Sequence, residues 1–259
     1  MDKVVVITGA SSGIGADLKK IFIDNGDRVV TMSRTASEEE NHYVVDVSDE
    51  KAVSEAVENI GVKFGRIDMV INNAGFGMSG ITELIDSGDI IKLTEVNYYG
   101  TLYVIRAALK FMSAGARIVN ISSAMALFPV PFRAIYGSVK AAVLQLSFSL
   151  RMELEPLGID VVAICPGDIK TNFTKNRVKD FTTNERYGTR LEAATLKSDS
   201  REDKRIPCEV CARKIYRSIV RKRTKPFYII GGKYKVLYFL TRITPKAWLL
   251  KMTNKLYGC

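Results

Sequence analysis

The 259-residue sequence predicts an α/β fold, one doubly wound parallel sheet of about seven strands flanked by helices. Three observations carry that expectation. Short β-rich apolar runs alternate with amphipathic segments along the first two-thirds of the chain, as they do when helices wrap a parallel sheet. The runs are continuous in Val and Ile rather than alternating with polar residues, which marks strands buried on both faces. With 47% hydrophobic and 25% charged residues the chain can fill one large core, and no repeat or linker divides it, so 1–259 reads as a single domain.

In chain order, the first strand is expected over 4–8, where the apolar run leads directly into a glycine-rich turn and so reads as strand rather than secretion signal. A helix over 14–25 precedes strands over 29–33 and 43–46, with His42 expected at the surface. Helices over 50–64 and 89–112 enclose a strand over 69–72. Strands over 117–122 and 160–165 enclose a helix over 135–154. A helix near 209–223 and a strand over 227–230 complete the sheet. Between 172 and 205 the sequence turns polar, rich in Lys, Arg, Asp and Thr, without a strong apolar period. So long an insertion is a lid or an irregular excursion. It follows the sixth strand, whose C-terminal end belongs to the ligand edge of such a sheet, so a substrate lid is expected.

The net charge of +10 is unevenly placed: residues 1–174 hold 16 basic and 21 acidic side chains (−5), and residues 175–259 hold 22 and 7 (+15). That distribution speaks against a general nucleic-acid surface and for a tail that meets acidic or phosphate-rich surfaces. No uninterrupted apolar stretch reaches the length of a membrane span. Four cysteines are too few and too unevenly spaced for a disulfide framework, so a reducing, cytoplasmic setting is expected. Cys208-Glu-Val-Cys211 has no second cysteine pair and the single histidine is remote, so no metal is expected and these cysteines read as packing residues.

Between the first strand and first helix lies Thr8-Gly9-Ala10-Ser11-Ser12-Gly13-Ile14-Gly15. Glycines here permit positive φ and close approach to a pyrophosphate, while the helix start presents free N–H groups to it. The arrangement suits a Rossmann-type nucleotide site, the alternative being a tight strand-to-helix turn without ligand; the spacing G-x-x-x-G-x-G departs from the commonest dinucleotide fingerprint. At the end of the second strand, where an acid would hold the ribose hydroxyls of NAD, the chain has Ser33 followed by Arg34. An arginine there suits a 2′-phosphate, so NADP(H) is expected over NAD(H).

Tyr136-Gly137-Ser138-Val139-Lys140 sets a phenol and an ammonium at i and i+4, on one helix face. A tyrosine titrating near 10 is a poor proton carrier at neutral pH unless a neighbouring cation lowers it. Upstream, Asn120-Ile121-Ser122-Ser123 ends the fifth strand, Asn72-Asn73-Ala74-Gly75 ends the fourth, and Asn97 lies on the long helix after it. Together with TGASSGIG, Asp46 and Pro166-Gly167-Asp168-Ile169-Lys170-Thr171, these segments closely resemble the short-chain dehydrogenase/reductase family in its single-domain form. The resemblance covers residues 4–171, with the motifs in the family's order.

The resemblance implies roles position by position. Tyr136 would exchange the proton with the substrate oxygen, and Lys140 would bind the nicotinamide ribose and lower the tyrosine pKa. Ser123, rather than Ser122, would hydrogen-bond the carbonyl or alcohol, and Asn97 would hold a proton-relay water. Gly9, Ser11, Ser12, Gly13, Ile14 and Gly15 would form the pyrophosphate turn, and Ser33 and Arg34 would face the adenosine ribose. Asp46 and Val47 would meet the adenine, with Asn73, Ala74 and Gly75 shaping the adenosine side. Pro166, Gly167, Ile169 and Thr171 would seat the nicotinamide. The chemistry is consistent with these residue types: a cofactor that supplies hydride needs a proton donor and an oxyanion stabiliser, but no metal.

The leading expectation is an NADP(H)-dependent oxidoreductase interconverting a ketone or aldehyde and an alcohol on a steroid-, retinoid- or lipid-like substrate. The apolar loop over 125–132 and Phe76 favour such a substrate. A 3-oxoacyl-thioester reductase docking an acidic carrier protein is the alternative, and a dinucleotide-sensing protein without turnover is a third reading, disfavoured by the intact Ser123, Tyr136 and Lys140. Beyond the resemblance, residues 206–259 carry 13 Lys and Arg against one acid, Glu209. Tyr234, Val236, Leu237, Tyr238, Phe239 and Leu240 would cover most of a helix circumference, more than one core-facing stripe requires. Thr244-Pro245 reads as N-cap and N1 of a last helix, with Trp248, Leu249, Met252 and Leu256 on one side and Lys251 and Lys255 on another. This basic amphipathic extension, 233–259, is expected to be a flap over the cleft, a subunit contact in a homo-oligomer, or a peripheral contact with an anionic membrane.

Overall fold

The computed structural model describes residues 2–171, 177–199 and 205–257. Seven strands form one sheet: β1 Val4–Thr8, β2 Arg28–Ser33, β3 His42–Val44, β4 Met69–Asn72, β5 Arg117–Ile121, β6 Asp160–Pro166 and β7 Phe227–Ile230. Their spatial order is 3-2-1-4-5-6-7, and every neighbouring pair is parallel. The chain winds outward from β1 through β3, then returns to β4 on the other side of β1. That reversal opens a crevice at the C-terminal ends of β1 and β4.

The continuous apolar runs explain the central position of these strands. Val4 and Val6 face one core cluster, and Val5 and Ile7 face another on the opposite side of the sheet. The first cluster is covered by α2 (Glu50–Phe64), which buries Val53, Ala56, Val57 and Ile60 on a single stripe. Asp49 caps its start by accepting from the Ala52 N–H, and Gly65 ends it at φ +71°. The second cluster is covered by α1 (Gly13–Asp24), through Leu18 and Phe22, and by a late helix, Cys208–Ile219. Cys211 is fully buried there, and burial pushes its thiol up to about 12.

The structure departs from expectation in several places. The third strand starts at His42, one residue earlier than expected; the ring is partly exposed, and its nitrogens meet the Thr31 hydroxyl at 2.8 Å and the Thr35 carbonyl at 2.9 Å, pinning β3 to β2. The single helix expected over 89–112 is a relay of α3 (Ser87–Thr94), a π turn (Glu95–Tyr99), α4 (Gly100–Ala108) and a 3₁₀ turn (Leu109–Phe111). The long polar stretch carries more order than its composition suggested. Val178–Lys179 pairs with Met78–Ser79, and helix α6 (Arg190–Asp199), which follows the long helix α5 (Ala134–Leu154), buries Leu191, Ala194 and Thr195, a stripe too short to stand out among its charges. Residues 172–176 and 200–204 of the expected lid lie outside the described residues, as does Cys259 of the extension.

With the helix over Cys208–Ile219 as α7, two more follow β7: α8 (Gly232–Ile243) and α9 (Lys246–Tyr257). Leu249 is buried on α9 but Trp248 is exposed, so these two do not share the side that the sequence suggested. They are adjacent residues about 100° apart on the helix, and only Leu249 turns inward. Among the described residues, no helix is long and apolar enough to cross a membrane.

Asp160 fixes the edge of the sheet on which these helices rest. Its carboxylate accepts from Arg117 Nε at 2.9 Å, from Arg151 Nη1, and from the Thr224 hydroxyl at 2.6 Å, joining β5, α5 and the approach to β7. Asp160→Ala leaves two half-buried guanidiniums facing each other without their counter-ion. Denaturant titration is expected to show a loss of about 1–3 kcal/mol, the range below that of a fully buried pair.

Candidate active site

A cleft of about 800 Å³ opens at the crevice, walled by the C-terminal ends of β1, β2, β4, β5 and β6. All the site residues expected from the sequence line it except Gly15 and Asn97, which lie directly behind.

The glycine turn is shaped for close approach. Gly9 and Gly13 have φ of +65° and +59°, and a Cβ on Gly9 would sit 2.8 Å from Ala74 Cα. A Cβ on Gly15 would come within 2.5 Å of the Asn73 Nδ2 and the Gly9 carbonyl. Asn73 explains that tightness: its Nδ2 donates to the Thr8 and Gly9 carbonyls at 3.0 Å each, while the Asn73 and Ala74 N–H groups both donate to the Thr8 hydroxyl. Asn73 therefore clamps the turn to the end of β4. Ser12, the N-cap of α1, makes no capping bond with its own side chain, leaving the N–H groups at the helix start directed at the cleft. These features fit a dinucleotide pyrophosphate.

At the adenosine end, Arg34 lies 4.0 Å from the Asp46 carboxylate and is largely exposed. Burial pushes the Asp46 carboxyl up, but hydrogen bonds from the Ser48 hydroxyl and N–H, with the charges of Arg34 and Lys92, outweigh it and hold the group below its ordinary range.

At the opposite end, β5 and α5 bring Ser123, Tyr136 and Lys140 together. The Ser123 and Tyr136 hydroxyls are hydrogen-bonded to each other. Ser122 turns away and donates to the Lys140 carbonyl at 2.8 Å, so adjacent serines serve different purposes. Lys140 is buried and its ammonium donates to the Ile121 carbonyl at 3.0 Å. Asn97, on the π turn, donates to the Phe76 and Leu93 carbonyls, while its buried Oδ1 has no hydrogen-bond partner among the described residues. A Cβ on Gly75 would lie 2.5 Å from that Oδ1 and 3.5 Å from Lys140 Nζ, so the missing side chain at 75 is what lets the two groups face one space.

The electrostatics differ from the sequence expectation in one respect. Lys140 was expected to lower the Tyr136 phenol. In the structure burial dominates and raises the phenol, opposed by the Ser123 hydrogen bond and by the charges of Arg177 and Arg133. Those two arginines, with Arg205, also line the cleft and were missed by the sequence reading. Arg133 sits one helical turn before Tyr136, a spacing that could have flagged it. Arg177 and Arg205 lie in the polar stretch, where many charges give no signal. Among the described residues, no cluster of three or more His, Cys, Asp or Glu could hold a metal.

The family model of the short chain dehydrogenases matches residues 3–181. A 3-ketodihydrosphingosine reductase of Bacteroides thetaiotaomicron is 32% identical over 95% of this chain and 93% of its own length. The structure of a short-chain dehydrogenase from Streptomyces avermitilis superposes with a TM-score of 0.84 over 96% of this chain and 95% of that one, at 24% identity. ElxO with NADP bound superposes with a TM-score of 0.73 at 30% identity, over 91% of this chain and all of its own.

Burial lowers the Lys140 ammonium from its ordinary 10.5 to about 8. Between those values the folded chain binds fewer protons at Lys140 than the unfolded chain does. Burying this amine therefore costs most below about pH 8, and the cost is relieved as pH rises toward 10.5. In thermal melts of the cofactor-free protein, Lys140→Met is expected to gain most over wild type near neutral pH, the gain shrinking across that window. A difference that stays constant with pH would contradict the assignment.

Proposed function

Since this chain belongs to the short-chain dehydrogenase/reductase family of oxidoreductases, we propose that it is an NADP(H)-dependent enzyme interconverting a ketone or aldehyde and the corresponding alcohol on an apolar, lipid-like substrate. The observation that carries this reading is the meeting of Ser123, Tyr136 and Lys140 in the same cleft as the glycine turn. A nicotinamide held by the glycine turn and the Pro166–Thr171 segment would supply or accept the hydride. Tyr136 gives its proton to the carbonyl oxygen in reduction, while Ser123 holds that oxygen by a hydrogen bond. Because burial raises the phenol, it keeps its proton at neutral pH and has it in place for reduction. The unmatched Asn97 Oδ1 faces the same space as the Lys140 ammonium, so a water accepted there would give a route for reprotonating the phenol.

Ser33 in place of an acid, with Arg34 beside it, supports NADP(H). Phe76, Met78, Met125 and Val178 supply apolar walls at the Tyr136 end, where Arg133 and Arg177 add charge. An amphiphilic carbonyl compound, apolar along its body with an oxygen-rich group near the arginines, suits that lining. The lid reading for 172–205 is supported by Arg177, Val178 and Arg205, which line the cleft.

A screen of NADPH oxidation against long-chain ketones, steroids and 3-oxoacyl thioesters tests the substrate class. Tyr136→Phe is expected to lower turnover by about two to four orders of magnitude with cofactor binding intact. More than about a tenth of wild-type turnover would refute the role. Arg34→Ala is expected to weaken NADPH binding by about tenfold or more, the weight of one charge-assisted bond, and to leave NADH nearly unchanged. Equal affinity of the unmutated protein for the two cofactors would overturn the NADP(H) assignment.

A further inference from the structure

The last two helices carry an outward face that the reaction does not use. On α8, Tyr234 and Leu237 turn inward and are buried. Val236, Phe239 and Ile243, spaced by three and four residues, form a stripe on the opposite side and are 62%, 61% and 64% exposed. Trp248 follows five residues after Ile243, across the Thr244-Pro245 turn, and is 71% exposed. A helix normally turns one apolar stripe to the core; α8 has two, and the second meets water.

Charge narrows the choice of what covers it. Helices α8 and α9 carry Lys233, Lys235, Arg242, Lys246, Lys251 and Lys255 and no acid. Lys235 and Arg242 lie one and two turns apart from the stripe's own residues, along its flank. A second copy would bring Lys235 and Arg242 beside the stripe, and the other cations of two helices without an acid, against their own like charges, which opposes a symmetric contact. Nucleic acid would satisfy the cations and leave Val236, Phe239 and Ile243 in contact with phosphate and water. An anionic lipid surface satisfies both parts, taking the apolar stripe below its headgroups and the ammonium and guanidinium groups among them. We propose that α8, with Trp248, docks this protein on an anionic bilayer surface. No described helix can span a bilayer, so the attachment is peripheral. The inference stands on exposure and charge alone, independently of the cofactor and substrate reading.

Trp248 is the chain's one tryptophan and so reports directly on its own surroundings. Full-length protein is mixed with phosphatidylcholine vesicles with and without phosphatidylglycerol, and sedimentation and tryptophan emission are followed. The expected result is co-sedimentation and a blue-shifted emission only with the anionic vesicles, weakening as salt rises. The double variant Phe239→Ser/Ile243→Ser is expected to lose at least tenfold in partitioning, and Lys235→Glu/Lys246→Glu likewise, both with unchanged circular dichroism and NADPH affinity. Absence of binding at low salt would overturn the proposal, as would binding that survives the Phe239/Ile243 variant. A dimer in sedimentation velocity that this variant dissolves would assign the face to a second copy instead. Retention on RNA in place of vesicles would assign it to nucleic acid.

Discussion

The Thr8 hydroxyl, held between the backbone N–H groups of Asn73 and Ala74, is the contact on which the site depends. It fastens the end of β1 to the end of β4, the two strands between which the winding direction reverses. On one side of this clamp the Asn73 amide fixes the glycine turn by two further bonds to its carbonyls. On the other side the chain passes at once to Gly75, where the absence of a side chain admits Asn97 and Lys140. The glycine turn and the space shared by Asn97 and Lys140 are thus both set by three consecutive residues, Asn73, Ala74 and Gly75.

Burial is the second constraint, and it acts on two groups in opposite directions. Removing Tyr136 and Lys140 from water favours the neutral form of each, raising the phenol and lowering the amine. A neutral phenol is a proton donor, and an amine near 8 sits close enough to neutrality to pass a proton on. The cost of holding them dry is partly offset by specific bonds: Lys140 to the Ile121 carbonyl, Tyr136 to Ser123. The π turn contributes here, because its extra residue per turn is what swings Asn97 inward while α3 and α4 continue on either side.

Most of the architecture was legible in the sequence because its signals are local. A continuous Val/Ile run such as Val4-Val5-Val6-Ile7 has no other comfortable place than a buried parallel strand, and its register then aligns every motif at one sheet edge. The motif residues themselves were legible for the same reason, since Tyr136 and Lys140 share a helix face by spacing alone. What escaped depends on tertiary context. The π turn has no marker in residues 95–99. The strand position of His42 rests on a hydroxyl eleven residues away and a carbonyl seven away. The buried stripe of α6 consists of three small or medium residues among charges, and the downward pull on Tyr136 comes first from the Ser123 hydroxyl, then from Arg177 and Arg133, rather than from the lysine one turn along.

The C-terminal helices join the surface of the protein to the floor of the cleft. Tyr234 on α8 lies under the loop after β6 so closely that a Cβ on Gly167 would fall 2.1 Å from its ring. Asp168 and Tyr257 lie beside its hydroxyl, and its ring stacks on Phe128 at 6.0 Å. Tyr257, near the end of α9, stacks on the other side of the same cluster, 6.5 Å from Phe128. The inner faces of α8 and α9 are therefore part of the wall that holds Pro166, Gly167 and Asp168 in place. Deleting these helices would remove Tyr234 and open that wall along with the outer surface. The two faces of α8 are separable only by substitution on its exposed stripe, where Val236, Phe239 and Ile243 contribute nothing to the packing of Tyr234 and Leu237 beneath them.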